Sequence, residues 1–131
     1  MIDPSKISSG PGPMLGNAGP GMLAGVRVIE IADERAEYTG LLMAGLGADV
    51  VKIEPPEGSA TRRIGPFLDD KPGPERSLYF WHYNRNKKSV VLNFQDKTGQ
   101  ERLLSLLEGA DVVFGRDAEL AEFVRVFADF D

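Results

Sequence analysis

The chain has 131 residues, 42% of them apolar and 27% charged, with a formal net charge of −5 and no cysteine. Those values describe one globular domain or part of one, and they exclude disulfides, thiolate metal sites and a cysteine nucleophile. The acidic balance argues against a nucleic-acid partner, because neutralising phosphates takes a surplus of Lys and Arg. The lack of cysteine fits a cytoplasmic protein.

Residues 1–22 are dominated by Gly, Pro and Ser and hold no apolar run of membrane-spanning or signal-peptide character. Such a composition buries too little apolar surface to offset the entropy of ordering, so it reads as a flexible leader, with the fold over residues 23–131. Val26, Val28, Ile29 and Ile31 then form a short β-branched run, as expected of a strand covered on both faces. Ala36 to Leu46 predicts a helix packed through Leu41, Leu42 and Leu46, with small residues at Ala44 and Gly45 and a left-handed stop at Gly47. Val50, Val51 and Ile53 predict the second strand, and the short connections make this a βαβ unit.

From Pro55 to Arg76 the periodicity breaks at Pro55, Pro56, Pro66, Pro72 and Pro74 and at Gly58, Ser59, Gly65 and Gly73. A loop of this length is either a binding segment or a surface excursion. The aromatic cluster Tyr79, Phe80, Trp81 and Tyr83 reads as a packing patch rather than a stacking platform. Ser89 to Phe94 predicts a third strand, Lys97 to Leu107 an amphipathic helix with Leu103, Leu106 and Leu107 inward, and Asp111 to Phe114 a fourth strand. Leu120, Phe123, Val124 and Phe127 predict a further helix over 118–127 whose apolar face needs a partner. The expected fold class is thus α/β, a Rossmann-like three-layer parallel sheet built of βαβ units and incomplete as an isolated chain.

A dinucleotide site would need glycines between the first strand and its helix, where this chain has Asp33, Glu34, Arg35, Ala36 and Glu37. Glu54, about twenty residues on, is the right type for a ribose hydroxyl but stands alone. Arg85, Lys87 and Lys88, flanked by Asn84 and Asn86, form either a phosphate seat or a solvated turn, and Arg62 with Arg63 carries the same ambiguity. His82 is the single histidine, so clustered imidazole ligation of a metal is excluded, and its place among aromatics favours packing over catalysis. The carboxylate pairs Asp69 with Asp70 and Glu34 with Glu37 lack a group that would separate their pKa values.

The stretches LAGVRVIEI, LLMAGLGADVVKIEPPEGSATRR and SLYFWHYNRNKKSVVLNFQDKTGQERLLSLLEGADVVF resemble the N-terminal portion of the family III CoA-transferases, the CaiB/BaiF group. That group includes formyl-CoA transferases, carnitine CoA-transferases and α-methylacyl-CoA racemases. The resemblance runs from about Leu23 to Phe114, roughly the first third of a typical member. It implies that coenzyme A, free or as acyl-CoA, lies against Ile53, Glu54 and Pro55, the stretch Leu92, Asn93, Phe94 and Gln95, and Phe114, Gly115 and Arg116, with Lys87 and Lys88 facing its phosphates. It also implies cytoplasmic acyl-CoA metabolism, interlocked dimers, no metal and no membrane. The family's nucleophilic aspartate lies beyond the matched region, so no catalytic residue is assigned and the chain alone is expected to be inactive.

Two departures fall at the ligand edge. Arg35, Ala36, Glu37 and Tyr38 replace the family's Ala-Gly-Pro step, and Gly115 with Arg116 replaces an Asn or Pro followed by an aromatic residue. They leave other expectations open: a non-catalytic half retained for assembly, a racemase fragment, or an unrelated dinucleotide-binding domain.

Overall fold

The computed structural model describes residues 20–115. Most of the leader, the helix expected over 118–127 and Arg116 lie outside the described residues. Within them run strand β1 (Arg27–Ile31), helix α1 (Glu37–Gly45), strand β2 (Asp49–Glu54), helix α2 (Leu78–Asn84), strand β3 (Lys88–Val91), helix α3 (Lys97–Leu107) and strand β4 (Val112–Gly115). All pairings are parallel and the order across the sheet is β3-β2-β1-β4, with Ile29 opposite Val51 and Val113 and with Ile53 opposite Val90. This is the expected Rossmann-like sheet, and its order reverses between β1 and β4.

Strand alternation sorts the core onto two faces. Ile29, Ile31, Val51 and Ile53 point to one side, where they meet buried Leu92, just after β3, and Leu103 of α3, with Leu106 and Leu107 alongside. Val28 and Val50 point to the other side and pack with Ala44 and Ala48 at the end of α1. Helices therefore cover both faces, which gives the three layers.

Helix α1 does not pack as its leucines suggest. It buries Glu37, Gly40, Leu41 and Ala44, a face at i, i+3, i+4 and i+7, while Leu42 is 50% and Leu46 44% exposed. The reason is Gly40: a Cβ there would lie 1.7 Å from Glu30 Oε2, so the small-residue face alone can approach the sheet closely enough. Gly47 takes the anticipated left-handed conformation (φ 99°) and ends the helix.

The aromatic run forms α2, whose start is capped by Ser77 accepting the Phe80 amide. Phe80 is buried, Trp81 is 44% exposed, and the Tyr79 and Tyr83 rings meet with centroids 4.6 Å apart and planes inclined at 45°. His82 packs edge-on against Tyr83. Strand β3 stops at Val91, short of Phe94, because Asn93 Oδ1 takes the Gln95 amide and turns the chain into α3. Asp96 caps α3 through the Gly99 amide at 2.6 Å, and a Cβ on Gly99 would sit 1.8 Å from the Asn93 carbonyl.

The connection from Pro55 to Arg76 is an ordered loop. It carries 3-10 turns at Ala60–Arg63 and Leu68–Asp70, closes by a bridge between Phe67 and Ser77, and buries Ser59, Thr61 and Ser77.

Candidate functional site

Parallel strands deliver their last residues to one edge, and the strand order reverses there between β1 and β4, the position at which open α/β sheets take ligands. Glu54 lies opposite Val91 with its carbonyl accepting the Leu92 amide, Phe114 lies opposite Glu30, and Gly115 lies opposite Ile31. Gly115 is obligatory for the approach of the two strands, since a Cβ would stand 2.2 Å from the Ile31 carbonyl oxygen. The rim expected from sequence, with Glu54, Asn93 and Phe114 at a common edge, is what the register produces.

Individual residues on that rim have other duties. Ile53 and Leu92 belong to the α3-side core, and Phe94 packs against it. Phe114 packs against the α1-side core, Asn93 is engaged by Gln95, and Pro55 is exposed. Glu54 is 1% exposed and receives four donors: the Ser59 amide at 2.8 Å, Arg62 Nε at 2.6 Å, Arg62 Nη2 at 2.7 Å and Ser89 Oγ at 2.5 Å. Burial pushes its carboxyl up, but the hydrogen bonds from Arg62, Ser89 and Ser59 outweigh that and hold it at about 2. The Glu54 hydrogen bond in turn raises Arg62, whose guanidinium also covers the Phe80 ring at 3.8 Å.

The basic turn is not on this rim. Lys88 opens β3 opposite Val51, and its ammonium bonds Asp49, the first residue of β2, at 2.6 Å. Arg85 and Asn86 precede it, so the turn lies at the N-terminal edge of the sheet. Lys87 points inward, its side chain 1% exposed, with Nζ 2.8 Å from Glu30 Oε2, 2.9 Å from the Glu37 carbonyl and 3.1 Å from Asn84 Oδ1. Burial lowers its pKa against the opposing pull of Glu30.

Lys87 is one member of a buried ionic network under the rim. Lys52 Nζ meets Glu37 Oε1 at 2.8 Å, Glu30 Oε1 at 3.1 Å and the Ala32 carbonyl at 2.6 Å. Two ammonium and two carboxylate groups thus neutralise one another away from water, where an unpaired charge would cost several kcal/mol. Thr61 Oγ1 donates to Glu37 Oε1 at 2.7 Å and shares a bond with Ser59 Oγ, which ties the long loop to α1. Glu37 Oε2 keeps no hydrogen-bond partner among the described residues.

The sequence reading passed over this network, although a signal was present. Glu30 in RVIEI and Lys52 in DVVKIE interrupt apolar runs with opposite charges at the same strand position, and the two residues are register partners. Glu37, read as a helix-start residue, is wholly buried and paired.

Beyond β2 the loop forms an open depression of about 330 Å³ whose lining includes Glu57, Arg62, Arg63, Phe67, Pro72 and Pro74. Arg63 Nη2 donates to the Glu57 carbonyl, and the residue is exposed. Among the described residues no group of three or more His, Cys, Asp or Glu is placed to hold a metal ion, and no helix is long and apolar enough to cross a membrane.

A four-stranded parallel sheet with helices on both faces and an order reversal between β1 and β4 defines an α/β, Rossmann-like class of fold. Residues 23–116 match the family model for CoA-transferase family III, and the chain belongs to that family. It is 37% identical over 87 residues to succinyl-CoA:(R)-benzylsuccinate CoA-transferase subunit BbsE of Thauera aromatica, a match covering 66% of this chain and 21% of that protein. With succinyl-CoA:mesaconate CoA-transferase of Haloarcula marismortui it shares 40% identity over 94 residues, covering 71% and 24% respectively. Among solved structures, a CaiB/BaiF family protein from Brucella suis superposes with a TM-score of 0.66 at 37% identity, over 74% of this chain and 26% of that one. The chain thus spans about a quarter of the length of these relatives.

Proposed function

We propose that this chain is the N-terminal segment of a cytoplasmic CoA-transferase, and that it supplies the sheet edge against which coenzyme A lies. The complete reaction moves CoA between an acyl-CoA and a carboxylic acid. A carboxylate outside this chain attacks the thioester carbonyl and expels the CoA thiolate, giving a mixed anhydride; the thiolate then attacks the enzyme's acyl carbon, giving an enzyme thioester and freeing the first acid. The second acid's carboxylate then attacks the enzyme thioester and expels the CoA thiolate, giving a second mixed anhydride; the thiolate attacks that anhydride at the acid's own acyl carbon, which releases the new acyl-CoA and restores the enzyme carboxylate. In this reading none of the described residues performs those steps; the segment's part is to bind and orient the nucleotide end, in a dimer that covers its exposed apolar residues.

The observation that carries this reading is the reversal of strand order between β1 and β4, whose ends pair with Gly115 opposite Ile31. In this reading Lys87 and Lys88 serve the fold rather than the ligand, because one is enclosed and the other is at the opposite edge. Isothermal titration of CoA into the chain tests it: saturable binding tighter than about 1 mM supports the reading.

A second reading is favoured by a specific observation. The start of α3 is held by the chain's own Asp96, which accepts the Gly99 amide, so that helix does not offer its first amides bare to a phosphate. A non-catalytic half retained for assembly would look the same, and absence of CoA binding at several millimolar would select it.

A further inference from the structure

We propose that two copies of this chain associate through the outer side of α1, helix against helix across a two-fold axis near Leu42. This rests on the dimer in the reading above and gives it a surface, but it does not require CoA to bind, so the two can fail separately.

Helix α1 is apolar on two sides. Leu41 and Ala44 are buried against the sheet, while Tyr38, Thr39, Leu42, Gly45 and the capping Leu46 are exposed, Tyr38 by 56%. The one charged residue of the helix, Glu37, is buried, so the outer side carries no charge. A helix that is apolar all round belongs in an interior, with both sides covered. Tyr38 meets Tyr83 edge-on with ring centroids 6.3 Å apart, which continues the uncharged surface onto α2, a helix without Asp, Glu, Lys or Arg. The layer on the other side of the sheet differs, since α3 presents Lys97, Glu101 and Arg102 to solvent.

Charge and shape select a second copy as the occupant. An uncharged face would desolvate the ions of a charged partner and offer nothing to pair with them. The outer side of α1 is itself free of charge, and two-fold association sets it against its own likeness. Tyr38, Leu42 and Leu46 follow at four-residue spacing and make one ridge, and such ridges interlock at a crossing of about 50°. Beside the ridge, a Cβ built on Gly45 would have nothing within 4 Å, so a second helix has room to approach closely. The exposed part of Tyr38 is about 100 Å². With the two leucines the ridge stays well below the ~800 Å² per partner of a standard interface, so the dimer is weak and dissociates at about 10–100 µM. At low micromolar concentration the copies separate and Leu42 stands in water.

Sedimentation equilibrium of the full chain tests this, and the absence of cysteine lets a single introduced thiol report the contact without background. The wild type should show a monomer–dimer equilibrium, and Leu42→Glu should raise its dissociation constant at least tenfold with the far-ultraviolet circular dichroism retained. Leu42→Cys should give a disulfide-linked dimer under mild oxidation, because a residue near the axis meets its own copy, whereas Arg102→Cys on α3 should not. A wild type that stays monomeric to about 500 µM overturns the proposal. So does a Leu42→Glu chain that dimerises as tightly as the wild type, or equal cross-linking at Leu42→Cys and Arg102→Cys. A chain that binds CoA yet remains monomeric removes this interface alone; one that dimerises through Leu42 without binding CoA upholds it and removes the CoA reading.

Discussion

Lys52 on β2 and Glu37 at the start of α1 meet at 2.8 Å with side chains 1% and 0% exposed, so the sheet and its first helix are joined by an ion pair that water does not reach. The same Glu37 oxygen accepts the Thr61 hydroxyl, which extends the joint to the loop that carries the depression. A neutral, closed network of this kind adds little net stability against an apolar core of the same shape, but it is costly to break from one side.

Lys52→Met strands the Glu37 carboxylate without a cation and leaves Glu30 to Lys87 alone. Its expected cost is about 3–5 kcal/mol in urea unfolding, and Lys52→Met combined with Glu37→Gln should recover part of that loss. A loss below about 1 kcal/mol for the single change would show that the charges are solvated in solution.

Gly40→Ala reverses the usual helix preference. In an open helix this change stabilises by about 1 kcal/mol, whereas here the new Cβ meets the Glu30 carboxylate at 1.7 Å and must displace it. A lowered denaturation midpoint is expected; a raised one would contradict the close approach of α1 to β1.

Acid should release the loop clamp. Glu54 is depressed to about 2 in the folded chain, so its contribution is fully present above the ordinary carboxylate range and is lost as pH falls toward 2. The slope of stability against pH between about 5 and 2 should flatten in Glu54→Gln, read by urea midpoints at each pH. An unchanged slope would mean that other carboxylates carry the acid transition.

Leu103 is the α3 side chain most fully enclosed, at 0% exposure among Ile29, Ile31, Val51 and Ile53. Leu103→Ala should cost about 2–5 kcal/mol, whereas the half-exposed Leu42→Ala should cost well under 1 kcal/mol, although periodicity ranks both as core.

Strand and helix positions were legible because burial on both faces writes β-branched runs, and amphipathic α3 writes its period into Leu103, Leu106 and Leu107. The edge that gathers Glu54, Asn93 and Phe114 followed from parallel pairing alone. What composition hid was direction: a cation next to a strand reads the same whether it faces solvent, a ligand or the interior. Lys87 turned inward because Glu30 is buried beneath it, and Lys88 stayed at the opposite edge because it opens its strand rather than ending it. Leu42 misled for a related reason, since the face of α1 that approaches the sheet is chosen by Gly40 and Glu37 rather than by the larger apolar side chains.

The most direct measurement is a CoA titration of the isotope-labelled chain followed by amide chemical shifts. Changes concentrated at Asp33 to Arg35, Arg62 to Phe67, Asn93 to Gln95 and Gly115, with Arg85 to Lys88 unmoved, are the expected result. Changes centred on Arg85 to Lys88, or none at millimolar CoA, would contradict the claim that this segment presents the C-terminal edge of its sheet to coenzyme A.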